Sequence, residues 1–463
     1  MGELTTIILA AGDGTRMLSS LPKLLHPVAG LPIIGHVLNA VIAAGSDNIA
    51  AVVAPGQSRI RRLIGDLAPR AKIFEQKERL GTAHAAQMAR EAWEGANGNI
   101  AVVFGDHPLL QGNNFSAVLQ RLDEGFDGAL LGFETDDPAG YGRFIVQGDR
   151  LIDIVEHRDA SEEQLKISLC NACILAFRAD VFRQLIGMVS NSNAQSEYYL
   201  PDLVRLAGQQ GFRVGYAIAD ASDVVGVNSR PQLAHAETLF QQRLRKKFMD
   251  KGVTLCDPQT TYFSFDTSIA NDVTIEPNVF FGPGVNVESG VVIKAFSHIE
   301  GAHIARDAII GPFARLRPGA DLEAGSKVGN FCEVKNAKIG EGAKVNHLSY
   351  IGDAAIGKET NIGAGTITCN YDGFAKYRTE IGEGVSIGSN TSLIAPVKIG
   401  DRAIVGAGSV IVKDVSIDEL SLARAPQSNK KDYAPRVRAS AKSKKDAAAR
   451  QSGMNDKNLT GKN

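Results

Sequence analysis

Among 463 residues there are five cysteines, one tryptophan and no apolar run near the ~20 residues that span a bilayer. Cys170, Cys173, Cys256, Cys332 and Cys369 are odd in number and scattered, which argues against a disulfide framework and for reduced thiols. Cys170 and Cys173 have the spacing of a redox pair or half a zinc site. No second Cys or His pair stands at zinc-like spacing, so both are expected to be buried free thiols. Charge of one sign is also missing. Fifty Lys and Arg against 51 Asp and Glu leave a net charge of −1, which gives no global attraction to nucleic acid or to an anionic membrane surface. Met1 to Arg16 lacks the basic start, apolar core and small-residue site of an export signal, so a cytoplasmic chain is expected.

The length exceeds what one hydrophobic core fills, so the chain must divide. From Thr5 to about Ala221, apolar runs such as Thr6 to Leu9, Ile49 to Val53 and Ile100 to Phe104 alternate with helical stretches. That rhythm predicts a Rossmann-like α/β domain over 1–230 with a mostly parallel sheet. A helical pattern with Leu233, Phe240, Leu244 and Phe248 near one face, an early Pro231 and a following Gly252 predicts a connecting helix over 231–252. The segment 435–463 is basic and rich in Ser, Ala, Asn and Gly, and is expected to be a solvated, disordered tail.

Between them, over 253–434, an aliphatic or aromatic residue recurs every six positions. Ile269, Ile275, Phe281, Val287, Ile293 and Ile299 begin the series, which restarts at Ile304 and runs on to Ile411. Neither a helix nor a simple strand has this period. A hexapeptide repeat stacks short strands into a parallel β-helix, one inward side chain per flat side. Three steps shorten to five residues, and Thr368 to Glu380 interrupts the repeat between Ile362 and Ile381. Insertions in such coils leave the core, so this stretch is expected to be an extruded loop.

Leu9-Ala10-Ala11-Gly12-Asp13-Gly14-Thr15-Arg16 follows the first apolar run, with Pro22-Lys23 shortly after. The glycines let backbone N–H groups approach phosphate, and Arg16 and Lys23 can neutralise charge that builds in phosphoryl transfer. A glycine-rich turn alone is weak evidence, equally a tight strand-to-helix turn. The whole string Gly-x-Gly-Thr-Arg, five residues, Pro-Lys is far more specific. It resembles the sugar-nucleotide pyrophosphorylases, and over residues 5 to 434 the chain resembles the bifunctional uridylyltransferase–acetyltransferases that make UDP-N-acetylglucosamine.

That resemblance implies that Leu9, Ala10, Ala11 and Gly12 hold the nucleotide, that Arg16 and Lys23 meet phosphates, and that Gln76, Gly81 and Thr82 recognise uracil. A Gln amide can donate and accept at once, as the uracil imide edge requires. Asp106, at the end of the run Ile100 to Phe104, and Asn228 match the family's Mg²⁺ pair. Gly142, Glu156 and Asn171 fall to the sugar. Asp13 and Phe104 depart from the usual pattern and are expected to face away from the phosphates. The reaction implied is uridylyl transfer from UTP to N-acetylglucosamine 1-phosphate.

The β-helix, by its hexapeptide pattern, resembles left-handed acyltransferases. The family's glucosamine-phosphate site is matched by Arg317, Lys335, Tyr350 and Asn361, and its catalytic base by His347. Imidazole suits removal of a proton from an attacking amine near neutral pH. Ala364, Asn370, Tyr371, Ser389, Ala407 and Arg424 stand at the acetyl-CoA positions. A homotrimer through the β-helix is implied. The competing readings are a single-activity uridylyltransferase with a structural β-helix and a solenoid without enzymatic function.

Overall fold

The computed structural model describes residues 3–193 and 196–459. Its first part is a nine-stranded sheet in the order Lys72–Glu75, Asn48–Val53, Leu4–Ala10, Asn99–Phe104, Leu169–Arg178, Gly128–Glu134, Val214–Ala219, Arg150–Val155 and Arg143–Gln147. The first four strands are parallel, whereas Leu169–Arg178 runs antiparallel to both its neighbours. Side chains alternate across a strand, and here both faces are covered by helices. Ile8, Val53 and Val103 accordingly enter one apolar cluster, and Ile7, Val52 and Val102 the other. That two-sided burial explains why these strands read as continuous apolar runs.

The connecting helix runs from Arg230 to Asp250 with proline at its start, where no backbone donor is needed. Its apolar face is divided between two cores. Leu233 packs on the α/β side, Leu244 and Phe248 are buried in the β-helix, and Phe240 touches both. Gln241 fastens the junction: its Nε2 donates to the Phe263 carbonyl at 2.7 Å and its Oε1 accepts from the Phe263 N–H at 2.8 Å. The Ala29 N–H donates to Glu237 on this helix at 2.7 Å, and the Ala29 carbonyl accepts from Phe265 N–H at 2.8 Å.

From Thr254 onward the chain is a left-handed parallel β-helix of short strands. Each turn contributes one strand to each of three flat sides, every strand pairing in parallel with its equivalent on the next turn. The side beginning at Ser268–Ile269 leads to that of Thr274–Ile275 and then to that of Phe280–Phe281. The residues at sixfold spacing form one continuous core from Ile269 to Ile411. Thr368 corrects the expected loop boundary. It is fully buried and holds the inward place of a hexad, with its hydroxyl accepting from the Gly352 N–H at 2.8 Å. A threonine whose hydroxyl is satisfied fills an aliphatic slot, so the excursion begins only after the strand Ile367–Cys369 and closes at Thr379–Ile381.

At one corner of the prism the residues Phe296, Phe313 and Phe331 repeat with φ of 60°, 56° and 55°, followed by Leu348 at 52°. Bulky side chains rarely adopt this left-handed conformation. The three rings stack at 4.9 and 5.1 Å between centroids and remain about half exposed, giving an apolar ridge on the outside of the coil.

Of the segment 435–463, expected to be disordered, residues 435–459 belong to a helix from Tyr433 to Leu459, and residues 460–463 lie outside the described residues. Alanine, lysine, arginine and glutamine favour helix, and Pro435 lies in the first turn, where it removes no helical hydrogen bond. Residues 433–450 are exposed throughout, so this part of the helix packs on none of the described residues. Among the described residues, no helix is long and apolar enough to cross a membrane.

Candidate active sites in the two domains

The parallel strands Leu4–Ala10 and Asn99–Phe104 pair Leu9 with Phe104, so the loops after them leave the sheet side by side at its carboxyl edge. Three adjoining cavities of about 270, 480 and 530 Å³ lie there. The first takes Leu9 to Gly12, Lys23, Gln76, Gly81, Thr82 and Asp106; the second takes Arg16, Gly142, Glu156, Asn171 and Asn228. The N–H groups of Gly12, Asp13 and Gly14 donate to no group among the described residues. Free donors in a turn form a concavity for an anion. Gly14 has φ 63° and a Cβ there would stand 2.5 Å from Cβ of Lys23, so only glycine lets the lysine pass the loop.

Lys23 is 8% exposed, and its ammonium donates to Asp106 Oδ2 at 2.6 Å and to Asn228 Oδ1 at 2.9 Å. The two expected Mg²⁺ ligands thus aim their oxygens at one positive centre. Magnesium accepts one or two protein oxygens and takes the remainder from phosphate and water, so this donor set fits it. Burial opposes ionisation of Asp106, but the charges of His107 and Lys23 and the hydrogen bond from Lys23 outweigh it and hold the carboxyl below the usual range. His107 was not visible as a site residue in the sequence. Its Nδ1 lies 2.8 Å from Asp106 Oδ1, and only its place beside the aspartate could have flagged it.

Gln76 differs from expectation. Its Nε2 donates to the Gly81 carbonyl at 3.0 Å and lies 3.1 Å from His84 Nδ1, so the amide hydrogens are spent within the protein and the carbonyl Oε1 is left to accept. Gly81, at φ 112°, passes so close to Tyr198 that a Cβ would come within 2.5 Å of its carbonyl oxygen. Asp13 does face away, paired with Arg79, whose Nε donates to the Ala11 carbonyl at 3.1 Å. Phe104 does not. Strand alternation turns it opposite to the buried Val103, and it lines all three cavities. On the far side the Gly142 carbonyl accepts from Asn171 N–H at 2.8 Å, and a Cβ on Gly142 would sit 3.3 Å from Glu156 Oε1. Burial first, then the charges of Asp159 and Asp202, raises the Glu156 carboxyl above its ordinary range. Cys170 and Cys173 are buried free thiols.

In the β-helix the stacking of turns converts sequence offsets of 17 and 18 into contact. Arg317 N–H donates to the Val334 carbonyl, which puts Arg317 beside Lys335. Arg317 donates to Glu333 Oε1 at 2.7 Å, a bond that raises the guanidinium's pKa, and Glu333 pairs in register with Tyr350. Lys376, from the extruded loop, comes against Lys335 and lowers its pKa by hydrogen bonding and like charge. Asp353 anchors the loop by accepting from Asn370 Nδ2, and from Asn336 Nδ2 at 2.6 Å. Burial opposes its charge, but these bonds and the two lysines hold Asp353 low. The result is a cluster of Arg317, Lys335 and Lys376, of which Lys376 was missed because loop residues carry no periodicity.

His347 is exposed at the end of the strand Lys344–His347. Its carbonyl accepts from Gly365 N–H at 3.1 Å, which sets Ala364 next to it. Ala364, Ser389 and Ala407 then stack on successive turns: Asn390 N–H reaches the Ala364 carbonyl at 2.7 Å and Gly408 N–H the Ser389 carbonyl at 2.8 Å. Arg424 Nη1 donates to the Ala407 carbonyl at 2.6 Å. Asn361 is not brought against His347; it aligns with Lys344 and Ser386, three positions before the imidazole's place on its strand. Tyr371 is exposed on the extruded loop.

A glycine-rich loop with free N–H donors beside the Lys23 ammonium on an α/β sheet, joined to a hexapeptide coil with an outward histidine and a cation cluster, is the make-up of a two-domain transferase. The sequence matches the MobA-like NTP transferase domain over residues 6–170 and the bacterial transferase hexapeptide over 378–413. It is 48% identical over 438 residues to the bifunctional protein GlmU of Bartonella quintana, covering 95% of this chain and 98% of that one. To the bifunctional protein GlmU of Brucella anthropi it is 51% identical over 433 residues, covering 94% and 95%. The chain belongs to the bifunctional GlmU family.

Proposed function

We propose that the β-helix transfers acetyl from acetyl-CoA to the amine of glucosamine 1-phosphate, and that the α/β domain transfers uridylyl from UTP to the resulting N-acetylglucosamine 1-phosphate. The observation that carries this reading is the coexistence, on separate cores, of the Lys23–Asp106–Asn228 cluster and the Arg317–Lys335–Lys376 cluster, with His347 outward on the same coil.

In acetyl transfer, His347 takes a proton from the amine as its nitrogen attacks the thioester carbonyl. A C–N bond forms, the C–S bond breaks, and the proton on imidazole is available to the departing thiolate. Arg317, Lys335 and Lys376 hold the sugar phosphate. The stack of Ala364, Ser389 and Ala407 offers small side chains to the pantetheine arm, Arg424 a cation to CoA phosphate, and Asn370 and Tyr371 a wall from the loop. The family's motif assigns no cysteine as an acyl carrier, which favours direct transfer.

In uridylyl transfer, the sugar phosphate oxygen attacks the α-phosphorus of UTP and the bond to the β-phosphate breaks, releasing pyrophosphate. Arg16, Lys23 and the loop N–H groups stabilise the charge and fix the line of attack. Asp106 and Asn228 would hold Mg²⁺, which supplies further charge neutralisation at the phosphates. Gln76 Oε1 accepts from the uracil imide N–H, with Gly81 and Thr82 shaping its edge. Gly142, Glu156 and Asn171 receive the sugar.

Purified protein is expected to release pyrophosphate from UTP, Mg²⁺ and N-acetylglucosamine 1-phosphate, and free thiol from acetyl-CoA and glucosamine 1-phosphate. Pyrophosphate without thiol would leave only the single-activity enzyme with a structural coil.

We further propose a homotrimer in the cytoplasm. The exposed ridge of Phe296, Phe313 and Phe331 supports association, because stacked apolar rings left in water mark a contact surface. Phe313→Ser is expected to shift the protein from trimer to monomer in sedimentation velocity at micromolar concentration, with uridylyl transfer unchanged. A variant that sediments as wild type would remove the ridge from the interface.

A further inference from the structure

The strands Lys327–Asn330 and Lys344–His347 lie on successive turns and pair Asn330 with His347 in register. Both end at the same corner: the next residues, Phe331 and Leu348, have φ of 55° and 52° and turn the chain away. Gly329 draws the two turns together, since a Cβ there would fall 1.9 Å from the Asn346 carbonyl oxygen. The two terminal side chains therefore meet, with His347 Nδ1 2.7 Å from Asn330 Oδ1. The backbone on either side is also held. Leu348 N–H donates to the Asn330 carbonyl at 3.0 Å, and Ser349 Oγ donates to the His347 carbonyl at 2.8 Å. No group among the described residues bonds His347 Nε2.

A neutral imidazole has one N–H and one lone pair, and the partner of one nitrogen decides which is which. An amide oxygen can only accept, so Nδ1 must carry the hydrogen and Nε2 keeps the lone pair. We propose that Asn330 is a positioning residue for acetyl transfer: it fixes His347 in the Nδ1–H form and aims Nε2 outward as the base. This rests on the reading of His347 as the proton acceptor. Being neutral, Asn330 sets the tautomer without adding the charge that a carboxylate partner would. After proton transfer both ring nitrogens carry hydrogen, and the bond from Nδ1–H to Oδ1 persists, so nothing has to rearrange during the step.

The test uses full-length protein labelled with ¹⁵N-histidine, whose tautomer is read from the nitrogen shifts of the resonance that disappears in His347→Ala. Wild type is expected to show a hydrogen on Nδ1 and a bare Nε2, and Asn330→Ala to show a mixture. Asn330→Ala is expected to lower kcat for acetyl transfer about tenfold, the scale of losing one oriented proton acceptor, with KM for both substrates within twofold. Asn330→Asp, which still accepts from Nδ1–H, should restore the single tautomer and most of the rate. Uridylyl transfer by the same chain reports whether each variant is folded. A hydrogen on Nε2 in the wild type, or an unchanged tautomer and kcat in Asn330→Ala, overturns the inference. If His347→Ala still transfers acetyl, the base assignment fails and takes this role with it. If His347→Ala is inactive and Asn330→Ala is not impaired, the Asn330 inference alone is wrong.

Discussion

Asp106→Ala is expected to lower uridylyl transfer by about a thousandfold or more, the loss seen when charge stabilisation is stripped from a phosphoryl-transfer site. The aspartate supplies the only carboxylate of the Lys23–Asp106–Asn228 cluster, and it does two jobs there. It neutralises an ammonium that is almost wholly buried, and with Asn228 it offers the oxygens for a divalent cation. Without it Lys23 keeps one neutral partner, and breaking such a pair costs about 3–5 kcal/mol in comparable buried bridges. Asp106→Asn, which keeps the shape and loses the charge, should separate the two effects: it retains the fold and still requires far more Mg²⁺ for half-maximal rate. The measurement is pyrophosphate release against Mg²⁺ concentration, with acetyl transfer by the same preparation expected within twofold of wild type. A loss of less than about tenfold would remove Asp106 from the reacting phosphates.

His347→Ala should do the reverse. Thiol release from acetyl-CoA is expected to fall about 10²- to 10⁴-fold, the range for removing a positioned general base. The loss should appear in kcat, because Arg317, Lys335 and the stack of small residues that would hold the two substrates are untouched. Pyrophosphate release should stay near wild type, since the two clusters share no side chain. Loss of both activities in a folded variant would mean that the sites are not independent, and the two-site reading would not survive it.

Much of this arrangement is legible along the chain because periodicity is a statement about burial. The hexads from Ile269 to Ile411 announce one inward side chain per flat side, and that is the core observed. Thr368 hid a hexad because residue type, not position, was read: a hydroxyl passes for an aliphatic when the Gly352 N–H satisfies it. Motifs expose residues that stand alone in their chemistry, such as Lys23 and Asp106. They do not expose partners. Asn330 and Glu333 meet neighbours that only the fold brings up, Lys376 arrives on a loop without periodicity, and His107 is marked only by its place beside Asp106; the turn length of 17 or 18 residues, applied to His347, points to Asn330. The spent amide hydrogens of Gln76 and the cavity-facing ring of Phe104 are properties of three-dimensional packing with no local signature. The helix at the C-terminal end reflects an alanine- and lysine-rich composition that suits a solvated helix as well as a solvated coil.

The three shortened hexads share a location. The five-residue steps are Ile299 to Ile304, Val334 to Ile339 and Ile351 to Ile356, and each crosses from the side of Phe280–Phe281 to the side of Ser268–Ile269. The extruded loop, between Cys369 and Thr379, opens at the same corner. At the other two corners every step from Ile269 to Ile411 is six residues. One edge of the prism thus behaves as an expansion joint: it absorbs deletions and insertions while the other two keep the turns in register. New length can be added there without moving a core side chain, and Arg317 and Lys335 lie at the mouth of that joint. A coil built this way can lengthen, shorten or exchange the loop over its substrate while the scaffold beneath keeps its dimensions.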